Sequence, residues 1–470
     1  MFSALPVELI EHILAFLHHD DNQTYAAVCR VNRLFHEIGT PRLYRSINVA
    51  SFDHDERLHR LQLLIRTLSE NLPLTKHVEE ISQYVWRDST LERPIDVDIE
   101  VETLQELLRR DLAVPFIVID YLDLIEGHIS EDCGLLILIG ICPGVETLNL
   151  LGELNHLKYW HDFSQVITEV RHFEDVVSEG SLRTANGATP STGTSFDTIS
   201  TVNLKCSGGG ELHTDIEDLE SLLWLPALQR LHTDVFDRRS EPGPYHSPPN
   251  LMSRIETLEI ENCGANGEDF HDLLPYCPAL KILNIEWPSR GDNYRRFDWA
   301  DLGNCIRENC PNLQTLLLDH PRDSMLDDDA YRNVVGDMND EYLQNCHLPG
   351  LGSMRSLQQL QSYHVSNIAL FGTHRDDSFV PADFSDSDDE NEVKHCLENV
   401  LPESLNELSV LCEHQGLEHV DIAILHEAGA ERLELLTIMD CQKDEWISRN
   451  HGQLTASTPE LLARVEQGSK

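Results

Sequence analysis

Apolar residues recur at the start of the chain with the period of a helix. Leu9, Ile10, Ile13, Leu14 and Leu17 fall on one face, and Glu8, Glu11 and His12 on the other, which predicts an amphipathic helix. Pro6 suits its first turn, where a missing backbone donor costs nothing, and Glu8 follows at the positive end of the helix dipole. Asp20 and Asp21 can cap a second helix, with Tyr25, Val28, Val31, Phe35 and Ile38 as its apolar positions and Gly39 as its end. Thr40 and Pro41 repeat the start signal for a short third helix through Tyr44, and residues 46–49 read as a strand. Three short helices bury little core alone, so such a module leans on a partner or on a following domain.

Further along, a second pattern repeats. CPGVETLNL begins at Cys142, LPALQRLHT at Leu225, CPALKILNI at Cys277 and CPNLQTLLL at Cys310. Each has a Cys or Leu, a proline that forbids continuing a helix, and then alternating aliphatic residues that predict a short strand. The most complete unit runs through Ile255, Leu258, Ile260 and Cys263, then Phe270, Leu273 and Leu274, to Cys277, Pro278 and Leu280. It predicts strand, polar turn and helix, and it resembles a cysteine-containing leucine-rich repeat. Weaker strands are expected at Ile199, Val202 and Leu204, at Leu405, Leu408 and Val410, and at Leu433, Leu436 and Ile438, with marginal ones at Val78, Ile81 and at Leu357, Leu360.

Helical faces lie between the strands, at Ile216, Leu219, Leu222 and Leu223 and at Trp299, Leu302 and Ile306. Stacked units of this kind form a solenoid with a parallel sheet. An ordinary α/β domain with a parallel sheet is the alternative that the same alternation allows. Along the expected strands, the residues between the buried aliphatics face the other way. These are Arg230, His232, Asp234, Glu259, Glu261, Asn284, Glu286 and Asp319, the candidates for reading a target. Inserts rich in Gly, Pro, Ser and Thr fall near residues 179–195 and 237–250, and an acidic one near 376–394 contains Ser385 and Ser387 in a setting that suits an acid-directed kinase.

Charge narrows the partners. With 81 acidic against 35 basic side chains, the formal net charge of −46 argues against nucleic acid and anionic membrane and favours a cationic partner surface. The length of 470 residues implies several domains or an extended array, and 41% hydrophobic with 25% charged residues is the balance of a globular chain. The longest apolar run, CGLLILIGIC from Cys133, is too short to span a membrane and reads as buried core. The 12 cysteines lack metal spacing, so reduced, mostly buried thiols are expected, which fits cytoplasm or nucleus. Gly208, Gly209 and Gly210 lack the following Lys-Ser or Lys-Thr of a phosphate cradle, and no catalytic signature is present. Neither cofactor, metal nor catalytic residue is expected.

The order L-P-x-E-L-I-x-x-I-L-x-x-L, an acidic break, V-C-R-V-N-R-L-F and P-R-L-Y-R-S-I resembles an F-box, in the form common among fungal F-box proteins. The resemblance implies docking onto a Skp-type adaptor and, through it, a cullin. Carried onto this chain, the adaptor contacts fall on Leu5, Pro6, Leu9, Ile13, Leu14, Val28, Cys29 and Phe35. Val31 and Asn32 stand where many F-boxes carry a bulky residue such as tryptophan. The expected fold is α/β: an F-box over residues 1–48, an irregular leucine-rich-repeat-like solenoid with a parallel sheet over 49–450, and a polar tail over 451–470. The expected function is target recognition for a Skp-cullin-F-box ubiquitin ligase. A scaffold acting without a cullin, an enzyme on an irregular α/β fold and a repeat protein without the adaptor stay open as alternatives.

Overall fold

The computed structural model describes residues 6–17, 22–49, 54–85, 93–94, 128–129, 131–152, 195–205, 219, 222–223, 225–234, 236, 252–287, 298–319, 350–366, 369–370, 400–412, 433–440, 445–450 and 453–456. Asp20, Asp21, Ile216, Gly208 to Gly210, Ser385, Ser387 and almost all of the three expected inserts lie outside them. The chain divides into two compact units, Met1–Leu231 and His232–Lys470.

The first unit begins with α1 (Val7–Ala15), α2 (Asn22–Cys29) and α3 (Arg33–Leu43), followed by β1 (Ser46–Asn48). Pro6 is the N-cap of α1 rather than part of its first turn. The second and third helices differ from the expected pair. The chain turns at Arg30 and Val31, and the Asn32 side chain accepts the Phe35 N–H at 3.0 Å to start α3. A polar cap therefore divides an apolar pattern that reads as continuous. Helix α3 then runs through Gly39, Thr40 and Pro41. Gly39 is buried, and a Cβ there would lie 2.8 Å from Cys29 Sγ, so this glycine permits close approach of α2 and α3 instead of ending a helix.

Next come α4 (His54–Glu70), α5 (Leu72–Thr75), β2 (Glu80–Val85), the two-residue pair β3 (Arg93–Pro94) and β4 (His128–Ile129), α6 (Glu131–Ile141), β5 (Thr147–Gly152) and β6 (Thr201–Lys205). The ladder β1-β2-β5-β6 is parallel and brings Ile47, Ile81, Leu148 and Val202 into one buried row. The apolar run before Pro143 is the buried helix α6, which packs on α4 so closely at Gly134 that a Cβ would lie 2.5 Å from Leu61 Cδ2. No helix among the described residues is long and apolar enough to cross a membrane.

Strand β7 (Arg230–Asp234) carries the boundary between the units. The second unit continues with β8 (Thr257–Glu261), β9 (Ile282–Glu286), α7 (Trp299–Asn309), β10 (Thr315–Asp319), β11 (Ser362–Ser366), β12 (Glu407–Cys412), β13 (Leu435–Asp440), β14 (Glu445–Asn450) and β15 (Gln453–Ala456). The architecture is thus α/β, with eleven parallel strands, β1, β2 and β5 to β13, ordered as in the chain. The helix expected between β8 and Cys277 is instead two 3-10 turns, Gly267–Asp272 and Leu274–Tyr276, the first held by an Asn266–Asp269 capping box and the second opened by Pro275. Within the range expected as a polar tail, residues 453–456 form β15, antiparallel to β14, which is itself antiparallel to β13; the rest of 451–470 lies outside the described residues.

One hydrogen-bond device recurs in both units. The carbonyl just before a strand accepts two successive N–H groups from the start of the next strand. Arg45, Glu79, Glu146 and Ser200 do this in the first unit and Glu256, Lys281, Gln314, Gln361 and Asn406 in the second, all at 2.8–3.1 Å. The register that follows stacks Leu258, Leu283, Leu316, Tyr363, Leu408 and Leu436 in one buried column and Ile260, Ile285 and Leu318 in another. Each such aliphatic contributes roughly 1.5–3 kcal/mol by leaving water. The proline junctions are equivalent as well: Cys277 has φ −115 and ψ 52, Cys310 φ −117 and ψ 58, and Asn312 Nδ2 donates to Pro278 O at 3.0 Å across them.

Helix α7 holds the segment that returns at residue 350. Gly303 abuts the Leu351 backbone, Arg307 Nη1 donates to Leu351 O at 2.5 Å, and Arg307 Nη2 donates to Asn304 Oδ1. Gly352 lies beneath the guanidinium with φ 77, a left-handed conformation that favours glycine. A Cβ at position 303 would overlap the Leu351 carbonyl oxygen, and backbone has little freedom to retreat. Gly303→Ala is therefore expected to destabilise the second unit by about 1–3 kcal/mol despite alanine's better helix propensity, read as a lower urea midpoint.

Burial pushes the thiols of Cys142, Cys277 and Cys305 up to about 12 and raises that of Cys310 as well. Two outcomes are expected. At pH 8 an alkylating reagent mapped by mass spectrometry should leave these four unlabelled in the native protein and label them in urea, because the neutral thiol is a poor nucleophile. Stability should also fall as pH rises from 9 toward 12. There an unfolded thiol, at its ordinary 9.0, sheds a proton that the native one keeps.

Candidate functional site

The N-terminal module closes a small core of its own. Ile10 and Leu14 of α1 and Tyr25 of α2 are buried together, with Leu17, Val28, Leu34, Phe35, Ile38 and Leu43 packed against them. The Tyr25 hydroxyl donates to Leu14 O at 3.1 Å, and Arg42 Nη2 donates to Glu11 O at 3.1 Å, so α2 and α3 are each tied to the backbone of α1. This core uses one stripe of α1. A second stripe faces outward, with Leu9 49% exposed, Ile13 52% and Phe16 78%; Val7, in the first turn on the side of Ile10 and Leu14, is 42% exposed, and Val31 between α2 and α3 is 63% exposed. The Phe16 ring meets His12 edge-on at 5.1 Å between centroids.

The expected adaptor contacts accordingly divide. Pro6, Leu9 and Ile13 are at the surface, Val28, Cys29 and Phe35 are half-buried, and Leu14 is turned into the module's core. Leu5 lies outside the described residues. Val7, Phe16 and Val31 were not among the expected contacts. The signal for them was the breadth of the apolar pattern: adding Val7 and Phe16 to Leu9 and Ile13 exceeds the stripe that one small core covers.

In the first unit, Arg230 is exposed at the start of β7. This unit also carries a polar ladder that sequence reasoning missed. Asn203 Nδ2 donates to Asn149 Oδ1 at 2.7 Å, and Asn149 Nδ2 donates to Glu80 Oε1 at 2.5 Å and to Ser82 Oγ at 3.0 Å. Ser82, Asn149 and Asn203 share one register position. The signal was legible: L-N-L at 148–150, V-N-L at 202–204 and L-N-I at 283–285 put Asn at the same place in three strands.

The remaining target-reading candidates lie in the second unit, alternating with buried residues as expected for strands with one covered face. His232 Nε2 is 3.1 Å from Glu261 Oε1, and Asp234 Oδ1 accepts from Asn262 Nδ2 at 2.7 Å. Asn262 has φ 51, and its amide reaches from the end of β8 to β7. Glu259 is in register with Asn284, and Glu286 with Asp319. The structure thus brings His232, Asp234, Glu259, Glu261, Asn284, Glu286 and Asp319 onto neighbouring strands of one unit. Their chemistry is that of hydrogen-bonded and anionic recognition. Among the described residues, no group of three or more His, Cys, Asp or Glu is arranged to hold a metal ion.

No protein-family model matches the chain, and no curated protein matches it.

The two stripes of α1 predict opposite mutational behaviour. Leu14→Ala is expected to destabilise the module by about 2–5 kcal/mol, whereas Leu9→Ala at the surface should stay within about 0.5 kcal/mol. Chemical denaturation followed by the Tyr25 environment, or hydrogen exchange of α1 and α2, separates them.

Proposed function

We propose that the chain is the substrate-recognition subunit of a Skp-cullin-F-box ubiquitin ligase. In this reading residues 1–48 are the F-box, the strands that follow are turns of an irregular leucine-rich-repeat-like solenoid, and a target is held on the polar strand face. The observation that carries it is the outward apolar stripe of α1 and its C-cap, Leu9, Ile13 and Phe16, on a module whose own core is already closed by Ile10, Leu14 and Tyr25. Three large apolar side chains left together on one face of a short helix and its cap are the kind of surface that a protein partner covers. The F-box resemblance names that partner as a Skp-type adaptor, linked to a cullin.

Two further features support the solenoid. The paired-carbonyl device recurs at every parallel step for which both bonds are described, and the Cys-Pro junctions repeat the same backbone angles. The acidic strand positions, with the net charge of −46, favour a basic segment on the target. The chain would perform no bond chemistry. It would raise the local concentration of target beside the conjugating enzyme, replacing a bimolecular encounter with one inside a single assembly. Such a subunit would act in the cytoplasm or nucleus.

Co-purification of the full chain with a Skp-type adaptor and a cullin tests the reading. Wild type is expected to bring down both. Leu9→Asp with Ile13→Asp should bring down neither, because two unpaired carboxylates would have to enter an apolar interface. Both positions are at the surface, so the variant should keep the wild-type circular dichroism and melting profile. Adaptor without cullin would favour a scaffold, and binding of neither by wild type would overturn the proposal.

A further inference from the structure

We draw no further inference here: the strongest candidate, the acidic row of Glu259, Glu261 and Glu286 on strands β8 and β9, belongs to the site already described, and nothing in the structure points to a ligand beyond the charge of its carboxylates.

Discussion

Register is the constraint on which the rest of this structure depends, and it is set by single carbonyl groups. Where a strand begins, the N–H of its first residue and that of the residue before it converge on the carbonyl just ahead of the preceding strand, as those of Thr315 and Gln314 do on Lys281 O. Two donors on one acceptor leave no room for a slip, and a slip of one residue would turn every leucine of the column to the other face. With the start of each strand fixed, Leu258, Leu283 and Leu316 must stack, and the polar residues between them must lie on the opposite side. The face that carries Glu259, Asn284 and Glu286 is thus a by-product of the packing on its reverse.

The same constraint explains why the spacing between successive parallel strands can vary so widely. What a turn of the chain must supply is the junction, the strand and enough intervening chain to return, and the entropic cost of closing a longer loop grows only logarithmically. The connection from β8 to β9 is two 3-10 turns, whereas the one from β9 to β10 contains the three-turn helix α7, yet both end at a Cys-Pro junction with the same backbone angles. Leu351, gripped by Gly303 and Arg307, shows how a longer excursion is brought back to the stack: a glycine allows backbone to meet backbone, and a guanidinium satisfies the carbonyl that this contact buries.

The N-terminal module obeys a different balance. Its three helices enclose one small cluster, and Tyr25 serves it twice, with a ring in the core and a hydroxyl on the backbone of α1. Because that cluster is small, it covers only part of the apolar surface of α1. The outward residues are the functional part of the helix in the proposed reading, and the inward ones are what presents them.

Much of the fold was legible. The strands expected from the alternating aliphatics between Ile81 and Ile438 are strands except the marginal one at Leu357 and Leu360, which lie in the turn before β11, and the alternation also determined which residues of β7 to β10 share the polar side, because successive residues on a strand face opposite ways. The sequence also marked the junctions, since proline after Cys or Leu cannot extend a helix. Tertiary structure alone decided three things. It divided the helix-period pattern of α2 and α3 at Asn32, where a side-chain cap outweighs continuity of apolar positions. It separated Leu9 and Ile13 from Ile10 and Leu14, which a period of 3.6 places side by side and only packing can sort into surface and core. It also joined Ser82, Asn149 and Asn203 into one hydrogen-bonded row, because residues that are distant along the chain become neighbours only once the register between strands exists.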